Sequence, residues 1–105
     1  MDAAKRKRAK AAGWHEGTVA DLLGLSREEA IFIEVKLALG RFLREWREQQ
    51  GLSQREAARI LKSSQSRVAK MEAADGSVSL DLLVKSLLAL GASPKQVGRV
   101  LATAA

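Results

Sequence analysis

Residues Leu52 to Glu72 read LSQREAARILKSSQSRVAKME, two short helical patterns that each open on a Ser-Gln pair and meet across Lys62 to Ser64. Ser53 and Ser64 stand where N-cap residues stand, each with a hydroxyl able to accept from an amide of the following first turn. Helices of roughly nine and ten residues joined by so short a connection must cross steeply instead of lying antiparallel. Small residues then belong at the crossing, and Ala57 and Ala58 supply them on a helix that also carries the apolar Ile60 and Leu61. Val68 and Met71 tie the second helix to a core. With those inward, Gln65, Ser66, Arg67 and Lys70 are left on an outward ridge at the start of the second helix. Their chemistry matches base edges, since Gln pairs with adenine and Arg or Lys with guanine. The capped N-termini at Ser53 and Ser64 add free amides and positive dipole ends that suit phosphates.

Upstream, Ser26 with Glu29 three residues on has capping-box spacing, and Gly51 supplies a left-handed stop, which predicts a helix of about 24 residues. At about 100° per residue, Ile31, Val35, Ala38, Leu39, Phe42, Leu43 and Trp46 share one broad face of it. Ile33 and Leu37 fall on the opposite side, so this helix needs cover twice. Either the segment holding Val19, Leu22, Leu23 and Leu25 folds back over them, or they form a dimer or partner surface. That segment, from Thr18 to a stop at Gly24, reads as a short helix of its own. Downstream, Asp75-Gly76 marks a turn. Ser79 then caps a helix apolar at Leu80, Leu83, Val84, Leu87, Leu88 and Leu90 and closed by Gly91, and Ser93-Pro94 opens a last helix through Ala102. No stretch alternates with the period of a strand, so the fold class is all-α.

The chain has 105 residues, 18 Lys and Arg against 12 Asp and Glu, one His and no Cys. That length fits one helical domain over residues 14–105, preceded by a flexible basic tail over residues 1–13. The net charge of +6 points to a polyanionic partner. Its placement sharpens the point: Lys5, Arg6, Lys7, Arg8 and Lys10 crowd the start, and Arg55, Arg59, Lys62, Arg67 and Lys70 crowd the quoted stretch. The basic start is either a solvated tail or an arm on phosphates or in a minor groove. No apolar run suits a membrane span, and the start lacks the apolar segment of a signal peptide, so a cytoplasmic protein is expected. His15 has no Cys, Asp or Glu cluster around it, which leaves neither a metal site nor a nucleophile with its base. No enzyme activity, metal or cofactor is expected. Trp14 is either a core plug or a partner anchor.

The run LREWREQQG, then LSQ, AARIL and SQSRVAKME, then a leucine-rich helix after a Gly turn, resembles the helix-turn-helix domains of the Cro and phage-repressor family over residues 43 to 91. The resemblance implies a lambda-repressor-like fold, here with an N-terminal helical extension and the motif at residues 53–73. It implies operator DNA as the partner, with Gln54 gripping a phosphate, Gln65, Ser66 and Lys70 reading bases, and Arg67 beside them on a base or phosphate. Lys62 and Ser64 would lie near the backbone phosphates, and Arg47 would pair with Glu72 to tie the first helix to the recognition helix. One departure stands out: the family has Gly in the turn and a β-branched apolar residue after it, where this chain has Lys62 and Ser63. A Lys at positive φ costs on the order of 1 kcal/mol.

The added segment ADLLGLSREEA looks like the HigA-type variant among antitoxins of toxin and antitoxin pairs. That resemblance implies a small ribonuclease toxin as a partner and repression of the protein's own operon. The alternatives are a repressor without a toxin and a helical protein-interaction module. A homodimer is expected, because one such domain reads few base pairs. Its interface is expected on the last helix, through Val97, Val100 and Leu101, in preference to Ile33 and Leu37.

Overall fold

Ser26 accepts a hydrogen bond from the Glu29 amide while the Glu29 carboxylate accepts from the Ser26 amide, both at 3.1 Å. This reciprocal cap starts α1, Arg27–Gln49, a 23-residue helix that carries the other elements of the computed structural model, which describes residues 23–104. The helices that follow are α2, Gln54–Ile60, α3, Gln65–Glu72, α4, Leu80–Ala89, and α5, Pro94–Thr103. Among the described residues every regular element is an α-helix. A serine cap recurs at each start, where Ser53, Ser64, Ser79 and Ser93 each accept from the amide three residues on, and the cap is again reciprocal at Ser53 and Ser93. The basic tail, Trp14, His15 and the short helix from Thr18 with Val19 and Leu22 lie outside the described residues, apart from its end. There Leu23 is largely exposed and Gly24 has φ 67°.

The core is built on one line of α1. Leu39 and Leu43 are fully buried there, with Val35, Phe42 and Trp46 packed around the same cluster. Against them lie Ala57 and Ala58 of α2, Val68 and Met71 of α3, Leu83 and Leu87 of α4, and Val97 of α5. α1 packs on α3, α4 and α5, while α2 reaches the core mainly through α3. Where α1 crosses α3 the backbones nearly touch. A Cβ placed on Gly40 would stand 2.8 Å from the Met71 carbonyl oxygen and 2.9 Å from that of Glu72. The far end of α1 is held to the end of α4, since the Trp46 indole and the Gln50 amide both donate to the Leu90 carbonyl at 2.8 Å.

Two apolar positions of the pattern turn to solvent, and the helix expected to face a second copy turns inward. α2 spans only seven residues, and Ala57, Ala58 and Leu61 fill the arc facing the core, which leaves Ile60 51% exposed. On α4, Leu87 takes the inward position and turns its neighbour Leu88 to solvent. On α5, Val97 is buried and Val100 packs against the core, so the apolar residues of that helix serve the chain's own interior, apart from Leu101. The Asp75-Gly76 turn forms, but its left-handed residue is Ala74, at φ 52°.

Candidate nucleic-acid interface

The connection between α2 and α3 is short because Lys62 takes the left-handed conformation, at φ 54°. This lets the Ser63 amide reach back to the Ala58 carbonyl at 2.8 Å and closes α2 in one residue. Ser64 then caps α3, its Oγ accepting from the Arg67 amide at 3.1 Å and lying 3.3 Å from the Ser66 hydroxyl. Ser63 pays for the tight turn with a buried Oγ that has no hydrogen-bond partner.

Val68 and Met71 are buried, and Gln65, Ser66, Arg67 and Lys70 are exposed. Helical spacing puts Ser66 and Lys70 at the middle of the outward face, Gln65 on the flank beside Gln54, and Arg67 on the other flank. Ala69 lies half-exposed within this surface.

Arg47 and Glu72 come together beneath it. The guanidinium donates from Nε to Glu72 Oε2 at 2.5 Å, from Nη2 to Oε1 at 3.1 Å, and from Nη1 to the Leu52 carbonyl at 2.8 Å. Only 11% of the Arg47 side chain and 5% of the Glu72 side chain is exposed. The hydrogen bond to Glu72 raises the Arg47 pKa above its ordinary value, against the lowering effect of burial and with help from the charges of Glu72 and Glu48. The bond network continues outward. Gln54 donates to Glu72 Oε1 at 3.1 Å and accepts at its own Oε1 from Gln65 at 3.0 Å. Four residues from three helices thus form one chain of hydrogen bonds running from the buried guanidinium to the exposed start of α3.

The Arg47–Glu72 pair is the one the family resemblance implies, whereas the Gln54–Gln65 bond spans eleven positions and exists only because the steep crossing brings the two side chains together. Sequence reading passed over Arg44, one turn before Arg47, which lines a cleft with Gln54, Ala69 and Ala73. The i to i+3 spacing from Arg47 was the available signal. Among the described residues Arg55, Arg59, Lys62, Arg67 and Lys70 form no salt bridge, although Arg59 acts on Glu56 and Lys70 on Asp75 at longer range. Among the described residues no cluster of His, Cys, Asp and Glu could hold a metal ion, and no helix is long and apolar enough to cross a membrane.

Neither the curated proteins nor the solved structures contain a match to the chain. The profile of the helix-turn-helix domain family matches residues 38–100, which take in the second half of α1, all of α2 to α4 and most of α5. With a short two-helix crossing, a polar outward face on its second helix and this match across more than half its length, the chain belongs to the helix-turn-helix domain family.

Proposed function

We propose that the protein is a sequence-specific DNA-binding transcriptional regulator that lays α3 in the major groove. Gln65, Ser66 and Lys70 read base edges and Arg67 reaches a base or phosphate at the rim. Gln54, Lys62 and Ser64 hold phosphates, joined by the basic start with Lys5, Arg6, Lys7, Arg8 and Lys10. The observation that carries this reading is the exposed start of α3, where a hydrogen-bonded Gln65 stands among cations that form no salt bridge among the described residues. Base edges reward a held amide, and phosphates reward unpaired cations.

In the finer reading the protein acts as a homodimer on two half-sites and serves as an autorepressing antitoxin whose toxin is a small ribonuclease. The N-terminal resemblance supports this, as does the exposed apolar surface of Phe32, Ile33 and Leu37, which a protein partner could cover. Selection from randomised duplexes tests the DNA reading. Gln65→Ala should relax preference at one base pair per half-site by roughly 1 to 3 kcal/mol. An unchanged profile removes Gln65 from the readers. Co-purification with the product of an adjoining reading frame, and relief of its toxicity, tests the antitoxin role.

A further inference from the structure

We propose that Glu72, which lies too deep to touch DNA, is a positioning residue that selects the base read by Gln65. The inference rests on the DNA reading above and takes it further, from which residue reads a base to why it presents one particular edge.

An ionised carboxylate accepts hydrogen bonds and donates none. Glu72 Oε1 already accepts from Arg47 Nη2, and it also receives the Gln54 side chain at 3.1 Å. Gln54 must therefore turn its NH2 group toward Glu72. The opposite orientation would press a carbonyl oxygen against a carboxylate that is only 5% exposed, with no proton between them and little water to compensate. Once Gln54 is fixed this way, its Oε1 faces Gln65, at 3.0 Å. Gln65 must then spend one N–H inward on that oxygen. What remains outward is its Oε1 and its second N–H, one acceptor beside one donor. That pair complements the N6 amino group and N7 of adenine. Reversing the relay would turn the Gln65 carbonyl inward and both N–H groups outward, a pattern that suits the O6 and N7 acceptors of guanine. The carboxylate thus sets adenine over guanine through two amides.

Two variants separate this from a purely structural role for Glu72. Gln54→Lys keeps a donor facing Glu72 and offers only N–H groups to Gln65, so Gln65 must present its carbonyl inward. Arg47→Met with Glu72→Met removes the carboxylate without leaving a lone buried charge. The readouts are selection from randomised duplexes, equilibrium binding to duplexes that differ only at the base pair under Gln65, and a thermal melt. Wild type should prefer adenine over guanine there by about ten-fold. Gln54→Lys should move the preference to guanine. The double variant should bring the ratio near unity, with other positions and the salt dependence unchanged. In a Gln65→Ala background neither change should alter the ratio.

Adenine preference that survives in Gln54→Lys overturns the inference, as does a wild type whose motif lacks adenine at that position or a uniform loss at all positions. If the double variant fails to fold, Gln54→Lys decides alone, since its position is only half-buried. A wild type that selects no motif overturns the DNA reading and this inference together. A wild type that selects one while both variants match it overturns the inference alone.

Discussion

Lys62 holds a φ of 54° and Ala74 one of 52°, where the ends of α1 and α4 use Gly51 and Gly91 for the same left-handed step. An L side chain in that conformation costs on the order of 1 kcal/mol. Both strained residues bracket α3. The two glycine stops were legible in the sequence, as was the strain at Lys62, but nothing marked Ala74, because the glycine of that turn stands at Gly76. Lys62→Gly is expected to raise stability to denaturant by about 1 kcal/mol and to reduce the slope of log affinity against log salt by about one. A rise in stability with an unchanged slope would remove Lys62 from the phosphate contacts. Two exposed carboxylates give the pH dependence. Hydrogen bonds from the Ser77 hydroxyl and amide lower the Asp75 pKa, and those of the cap with Ser53 lower that of Glu56. A carboxylate depressed in the folded state adds stability above its unfolded pKa, and that stability is lost as pH falls through the folded value. Melting temperature should therefore be level near neutrality and decline below roughly pH 4. Asp75→Asn with Glu56→Gln should make that decline shallower.

Each helix start was legible because its cap is a local event: a serine and the amide three residues later settle it whatever the rest of the chain does. Inward faces were less so. Ile60 and Leu88 fit the apolar pattern, yet short helices meet their neighbours along narrow arcs, and a residue one step off the arc is left in water. Gly40 shows the converse. A glycine within a long helix costs about 1 kcal/mol relative to alanine, and only the packed structure shows why it is there. Gly40→Ala would drive a methyl group into the carbonyls of Met71 and Glu72, which belong to backbone and cannot swing aside. The expected result is a net loss of about 1 to 3 kcal/mol in chemical denaturation. Because the displaced atoms end α3, affinity for all DNA sequences should fall together. A variant as stable as wild type would mean that α1 and α3 separate freely, and that α1 does not fix α3.

Over the whole molecule, composition located the charge and the motif located the steep crossing of α2 on α3. The relay from Arg47 to Gln65 needed three helices in place, and so did the fate of α5. That helix was expected to offer Val97 and Val100 to a second copy, on the argument that its apolar residues were too few for the interior. In the structure they are part of the interior, because α5 folds back onto α1 and closes the core. Among the described residues, Phe32, Ile33 and Leu37 leave apolar side chains exposed close together on the first half of α1, at 47%, 42% and 44%. If the protein reads two half-sites roughly 34 Å apart, its two-fold interface must lie outside the motif, and this surface is the one we propose for it. Sedimentation and melting, run together on Val100→Asp and Ile33→Asp, separate the possibilities. Val100→Asp puts a charge against the core and should lower the melting temperature strongly. Ile33→Asp should leave melting at high dilution nearly unchanged and shift a dimer to monomer. If Ile33→Asp instead lowers melting without changing the sedimentation coefficient, the surface is covered by the chain itself, and the dimer contact must be sought elsewhere, with exposed Leu101 next to be tested.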